Sequence, residues 1–183
     1  MKTRVALLLL TTLLSAGFLS AATPTPDEAL AAIKTLDEHL LSDAATNAAK
    51  VITQFAQQSK QVTLTIGADT TPWLLESPTP DKETRAVNAL LLGVYIAGNT
   101  KAQLAAKKAE DDPYSGWLAV IHAYPVLQAA NKFSSPSIER FIRQEAAGRL
   151  KQHAEDVKLK NLKADQAAEA SPARIVVPTF QKP

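Results

Sequence analysis

The feature that most constrains the fold is the segment of residues 81–99, which is apolar on nearly every side. Between Ala86 and Ala97, every residue except Asn88 and Gly93 is apolar. A helix of this kind needs neighbours over most of its surface. It is too short to cross a membrane, which takes about 20 apolar residues. We therefore expect the central helix of a helical domain, capped by Asp81 and ending at residues 98–99.

Four further helices are predicted around this segment, because apolar residues recur at helical spacing after recognisable start signals. Those signals are Thr25-Pro26, Ser42-Asp43, Asp112-Pro113 and Ser135-Pro136. The last of these helices is expected to run beyond Val157, with Glu139–Arg143 and Glu145–Arg149 as i,i+4 ion pairs. The sequence thus predicts an all-α domain over residues 23–170, either a bundle or stacked helical hairpins of about five main helices.

Two shorter segments are less regular. Residues 62–66 alternate like a strand but have no obvious partner, so they are either an extended segment or the end of the second helix. Trp73 is expected to close over the bundle. The predicted core is otherwise aliphatic and aromatic: Leu36, Leu40, Val51, Ile52, Phe55, Leu90, Leu91, Val94, Tyr95, Trp117, Leu118, Ile121, Phe141 and Ile142.

The N-terminus has the pattern of a secretory signal peptide. Lys2 and Arg4 precede a run of fifteen mostly apolar residues, 5–19, and small residues follow at 20–22. This pattern predicts cleavage after Ala22 and a periplasmic or secreted bacterial protein. The alternative is an uncleaved anchor, for which the apolar run is short.

Composition excludes several classes of function. The formal charge of +2 includes Lys2 and Arg4, so the chain without its leader is neutral, and no nucleic-acid partner or stable membrane insertion is expected. The chain has no cysteine, which excludes disulfides and a thiol nucleophile. We find no nucleophile elbow and no glycine-rich phosphate loop. The three histidines do not have metal-ligand spacing, so we predict no metal. Because the motifs above are missing, we also predict no catalytic residues and no cofactor.

The best candidate for a binding site is an acidic and aromatic cluster at residues 110–117. Its candidate residues are Asp111, Asp112, Tyr114 and Trp117. Carboxylates beside aromatic faces occur in sugar-binding clefts and cation sites. The alternative is structural: Asp112 caps a helix, the other carboxylates favour its N-terminus, and Tyr114 and Trp117 belong to the core. His122 is interpreted in the same way, as a core or boundary histidine.

Two functions remain open. The first is an exported helical module that acts through protein–protein contacts at the cell envelope. The second is a small-ligand binder, for carbohydrate for example, or a hydrolase that uses the 110–117 cluster. A broad apolar groove would favour the first, and a deep pocket where Asp111, Tyr114 and Trp117 converge would favour the second.

The C-terminal residues 171–183 are predicted to form an extended tail, since Ser171-Pro172 interrupts the last helix. The tail carries an apolar patch at Ile175, Val176 and Val177. It folds back over the bundle, adds to a partner's sheet edge, or frays without a role.

Overall fold

A computed structural model of the chain describes residues 23–131 and 133–170. In these ranges the chain forms six α-helices and a short 3-10 helix at Pro72–Leu75. The helices are α1 (Pro26–Glu38), α2 (Asp43–Gln58), α3 (Lys82–Ala106), α4 (Pro113–Asn131), α5 (Pro136–Ala146) and α6 (Leu150–Ala170). No strand occurs among the described residues, and the all-α prediction is confirmed. The predicted leader and tail lie outside these ranges.

Five of the six helices in the described ranges begin where the sequence predicts. Thr25 and Glu28 form a capping box, in which the Thr25 amide donates to Glu28 Oε2 at 2.7 Å and the Glu28 amide to Thr25 Oγ1 at 3.3 Å. Asp81 Oδ1 accepts from the Thr84 amide at 2.7 Å. Each such bond satisfies an amide at the helix N-terminus that has no intrahelical acceptor.

The central position of α3 follows from its apolar surface. It packs along α4 on one side and α2 on the other, while α1 pairs with α2 and also touches α3. Both α5 and α6 pack against α4, and the 3-10 helix contacts α5. Every residue of the predicted core is buried or packs against buried residues. Trp73 is also buried, with its ring edge-on to Tyr95 at 6.0 Å and to Phe141 at 6.5 Å.

The predicted end of α3 at residues 98–99 is wrong, because Gly98 serves close packing. The helix continues to Ala106 and ends at Lys107, which has φ 54°. A Cβ on Gly98 would lie 2.5 Å from the Ser115 carbonyl oxygen and 2.7 Å from Ala119 Cβ. The glycine therefore allows α3 and α4 to approach each other closely.

The predicted last helix is two helices, so the described chain has six rather than about five. Gly148 adopts φ +66°, which ends α5 in a turn, and α6 starts at Leu150. Arg149 then lies between the helices, so the predicted Glu145–Arg149 pair on one helix is wrong. Glu145 Oε1 instead accepts a hydrogen bond from Tyr114 Oη at 3.3 Å.

Residues 62–66 are neither strand nor helix end. The Gln103 side chain takes the place of a partner strand. Its Oε1 accepts from the Thr63 amide at 2.9 Å, and its Nε2 donates to the Thr63 carbonyl at 2.8 Å. The helix-end alternative is therefore wrong, and a side chain of α3 satisfies the backbone of Thr63.

Candidate functional site

A groove of about 1020 Å³ lies between α1, α3 and α4. Its floor consists of residues too small to fill it, Gly98, Ala102 and Ala105 of α3. Ala119 and Ala123 extend this surface onto α4. Beside the close contact of Gly98 with α4, the small side chains of Ala102, Ala105 and Ala123 leave part of the space between the helices unfilled.

The walls of the groove are formed by larger aliphatic residues. Leu36, Leu40 and Leu41 come from α1 and the turn after it, and Leu118 and Val126 come from α4. Leu41 is 59% exposed and Val126 is 45% exposed. Both side chains line the groove, so part of its apolar surface is open to solvent.

Polar groups lie among the apolar walls. Lys101 Nζ lies 3.3 Å from Asp37 Oδ2, an exposed ion pair that links α3 to α1. His39 and His122 also line the groove, and both are exposed. The interpretation of His122 as a core or boundary histidine is wrong, because α4 turns residues 117, 120, 124 and 127 towards the core and leaves position 122 at the surface.

The four candidate residues of the 110–117 cluster do not line the groove, and their side chains contact different parts of the chain. Trp117 has no exposed surface. Its Nε1 donates to the Thr70 carbonyl at 2.7 Å, and its ring stacks on Phe141 at 4.6 Å and on His153 at 5.2 Å. Tyr114 is partly buried and bonded to Glu145. The two aromatic side chains therefore bind other parts of the chain, and Trp117 offers no face to a ligand in this arrangement.

Asp111 and Asp112 belong to a polar network around Asn99. Asn99 Nδ2 donates to Asp111 Oδ1 at 2.6 Å, and Asn99 Oδ1 accepts from the Asp112 amide at 3.0 Å and from Gln103 Nε2 at 2.6 Å. Asp112 also caps α4, because its Oδ1 accepts from the Ser115 amide at 3.1 Å. The network joins the end of α3, the start of α4 and residue 63.

The carboxylates of the cluster differ in their electrostatics. Burial raises the pKa of Asp111 above its usual value. Hydrogen bonds from Lys108 and Lys158 lower the pKa of exposed Glu110 to about 2. Two carboxyl groups whose pKa values are shifted in opposite directions can serve as an acid and a base. Here, however, each carboxyl group is bonded to other side chains of the protein.

The structure thus assigns structural contacts to Asp111, Asp112, Tyr114 and Trp117, and their role in ligand binding stays a prediction. Sequence reasoning missed the groove. Its only signal is the run of small residues 98, 102 and 105, spaced at four and three positions along one helix face.

The described part of the chain places no three His, Asp or Glu side chains where they could hold a metal ion. None of its helices is both long and apolar enough to cross a membrane. Comparison with protein-family models, with curated proteins and with solved structures finds no match for the chain.

Proposed function

We propose that this protein is an exported helical module that binds a helical segment of a partner protein at the cell envelope. The observation that carries the proposal is the apolar groove between α1, α3 and α4. Binding an amphipathic helix in an apolar groove is a recurrent mode of protein recognition, in which side chains at i, i+4 and i+7 supply the anchors.

The size of the groove supports a helical occupant. A helix is about 10 Å wide and rises about 1.5 Å per residue, which corresponds to roughly 120 Å³ per residue. A volume of about 1020 Å³ therefore holds two to three helical turns. The groove is open to solvent along one side, whereas sites for small molecules enclose most of the ligand.

The chemistry of the groove supports the same occupant. Its apolar lining is aliphatic among the described residues, with Leu, Ile, Val and Ala and without Trp, Tyr or Phe. Aliphatic anchors such as leucine side chains complement this surface, whose described residues include no Trp, Tyr or Phe ring on which a sugar could stack. The carbohydrate-binding alternative at residues 110–117 has no comparable support, since Trp117 is fully buried.

Export is the second part of the proposal, and it relies on the basic, apolar and small-residue pattern of residues 1–22. Intact-mass measurement of the protein from the envelope or medium of its host tests this part. We expect the mass of residues 23–183, and a mass that includes residues 1–22 would contradict cleavage.

Paired substitutions test the groove. Leu41→Asp with Val126→Asp places two charges on its walls, where both side chains are already exposed and the fold should survive. Leu159→Asp with Leu162→Asp is the matched control, because these leucines are 53% and 56% exposed on α6, outside the groove. We expect capture of envelope partners to be lost with the first pair and kept with the second. Equal capture by both variants would contradict the proposal.

A further inference from the structure

A second concave site lies between α5 and α6, where arginine side chains converge. This pocket of about 420 Å³ is called the arginine pocket below. All of its lining residues are charged or polar: Arg140, Arg143, Gln144, Arg149, Gln152, His153 and Asp156. The Gln144 Oε1 atom is buried and accepts no hydrogen bond from the described residues. Three of the chain's six arginines thus fall within ten residues and line one pocket, in a protein that is otherwise close to neutral.

These arginines lack the carboxylate partners that the sequence suggests. At i,i+4 spacing Glu139 should pair with Arg143, but Glu139 Oε1 accepts from Tyr124 Oη and from Ser134 Oγ, each at 3.3 Å. Glu145 is bonded to Tyr114 in the same way. In the described ranges none of the three guanidinium groups forms an ion pair. The Arg140 guanidinium lies over the Phe141 ring, 5.7 Å from its centroid, and no carboxylate of the described residues engages the donors of the three groups.

One carboxylate does line the pocket, and it is engaged. Asp156 Oδ1 accepts from Gln152 Nε2 at 2.9 Å. One negative charge against three guanidinium groups leaves the pocket with a net positive charge.

The start of α6 adds to this positive potential. Arg149 precedes Leu150, and a guanidinium cannot accept a hydrogen bond from the first-turn amides as a capping Ser or Asp would. Cations at a helix N-terminus oppose the helix dipole. An anion paired with Arg149 would offset the unfavourable charge of this side chain near the start of α6.

We propose that the arginine pocket binds a small-molecule oxyanion, a phosphate or sulfate group, between α5 and α6. Guanidinium groups suit this ligand because their planar donors bind two oxygens of one anion at once. The site is separate from the groove, and the proposal does not depend on the groove's function.

His153 offers a direct reporter of the site. Its ring lines the pocket on one side and stacks on Trp117 on the other. Burial and the charge of Arg140 lower the pKa of His153 below its usual value, although Asp156 and Asp69 act in the opposite direction. A bound anion favours the imidazolium, so it should raise this pKa.

The test is an NMR titration of His153 in the chain expressed with its own leader. Exposed His39 and His122 are replaced by Gln, so that His153 is the only imidazole in the protein. Inorganic phosphate and sulfate are added at constant ionic strength, with chloride as the reference. We expect saturable shifts of the His153 ring signals and a higher pKa of His153 in phosphate.

Substitutions of the arginines give the decisive comparison. Arg143→Gln and Arg149→Gln should each weaken phosphate binding about tenfold or more, because each removes charge-assisted hydrogen bonds. Arg85→Gln is the matched control, since Arg85 lies at the start of α3 and outside the pocket. Unchanged His153 signals in phosphate, or equal affinities for all three variants, would overturn the proposal.

A membrane surface is the other source of phosphate groups. Sedimentation with phosphatidylglycerol vesicles, against phosphatidylcholine vesicles, separates the two sources. We expect no cosedimentation that depends on Arg143 and Arg149. Arginine-dependent binding to the vesicles without binding of inorganic phosphate would overturn the assignment to a small molecule.

Discussion

At the scale of single residues, glycine and alanine determine how closely the helices approach. A Cβ at Gly93 would lie 2.6 Å from Ala49 Cβ of α2, and a Cβ at Gly116 would lie 2.5 Å from the Tyr95 ring. Together with Gly98, these glycines hold α3 against α2 and α4. Gly98 has both roles, since it allows the close contact with α4 and also lines the groove.

We predict that Gly98→Ala destabilises the protein by about 1–3 kcal/mol, as overpacking does. Alanine would favour the helix by about 1 kcal/mol, but its Cβ would meet a backbone oxygen of Ser115 that cannot move away alone. Gly67→Ala is the control, because nothing lies within 4 Å of its added Cβ. Urea unfolding measures both variants, and equal stability of the two would contradict the packing argument.

Asp111 predicts a dependence of stability on pH. Burial raises the pKa of Asp111 in the folded state. Its contribution to the stability of the fold is therefore fully present below pH 3.8, the usual pKa of the group, and is lost as the pH rises through the folded pKa. We expect Asp111→Asn to be more stable than the original chain at pH 7, and this difference should vanish as the pH falls below 3.8. Urea unfolding across this pH range provides the measurement.

Glu110→Gln is the counterpart with the opposite sign. The pKa of Glu110 is lowered to about 2 in the folded state. Its contribution to the stability of the fold is therefore present above pH 4.5, the usual pKa of the group, and is lost as the pH falls towards 2. The substitution should therefore lower stability at pH 7. If both variants changed stability in the same direction at pH 7, the electrostatic account of this cluster would be wrong.

At the scale of elements, the starts of five helices were predictable, whereas the end of α3 and the start of α6 were not. Thr25, Asp81, Asp112 and Ser135 accept the hydrogen bonds expected of N-caps, because capping depends on neighbours three residues away. The end of α3 depends on tertiary contacts: Gly98 is used for packing against α4, and Lys107 takes the left-handed conformation instead. The glycine at position 148 is a local signal for the break between α5 and α6. Apolar residues nevertheless continue at helical spacing on both sides of it, which favoured a single helix.

Gln103 connects two elements, and we predict that Gln103→Ala releases Thr63 from α3, while Tyr95 Oη still donates to the Thr65 carbonyl at 3.4 Å. The substitution removes both hydrogen bonds to Thr63 and one to Asn99, at a cost of about 1–3 kcal/mol. Hydrogen exchange at the Thr63 amide should speed up well beyond the change in global stability. Gln57→Ala, at an exposed position of α2, is the control. A Thr63 amide that stayed protected would show that other contacts hold the segment.

At the scale of the whole molecule, the class of fold and most of the core were predictable, because apolar periodicity reports burial directly. The sites were not. The groove combines residues 33–42, 94–105 and 115–126, and the arginine pocket depends on where the turn at Gly148 directs α6. A helical pattern shows which face of a helix is apolar. It does not show how much of that face the neighbouring helices leave exposed. Trp117 illustrates the converse, since its aromatic ring beside carboxylates indicated a site but lies in the core.

The central claim is that the groove holds a helical segment of a partner protein, and photo-crosslinking in the host tests it most directly. A benzoylphenylalanine residue is placed at exposed His122 in the groove, and at exposed Leu162 on α6 as the control. We expect a discrete crosslinked product from position 122 and none from position 162, with the crosslinked peptide of the partner carrying apolar residues at i, i+4 and i+7. No product from position 122, or the same product from both positions, would contradict the claim.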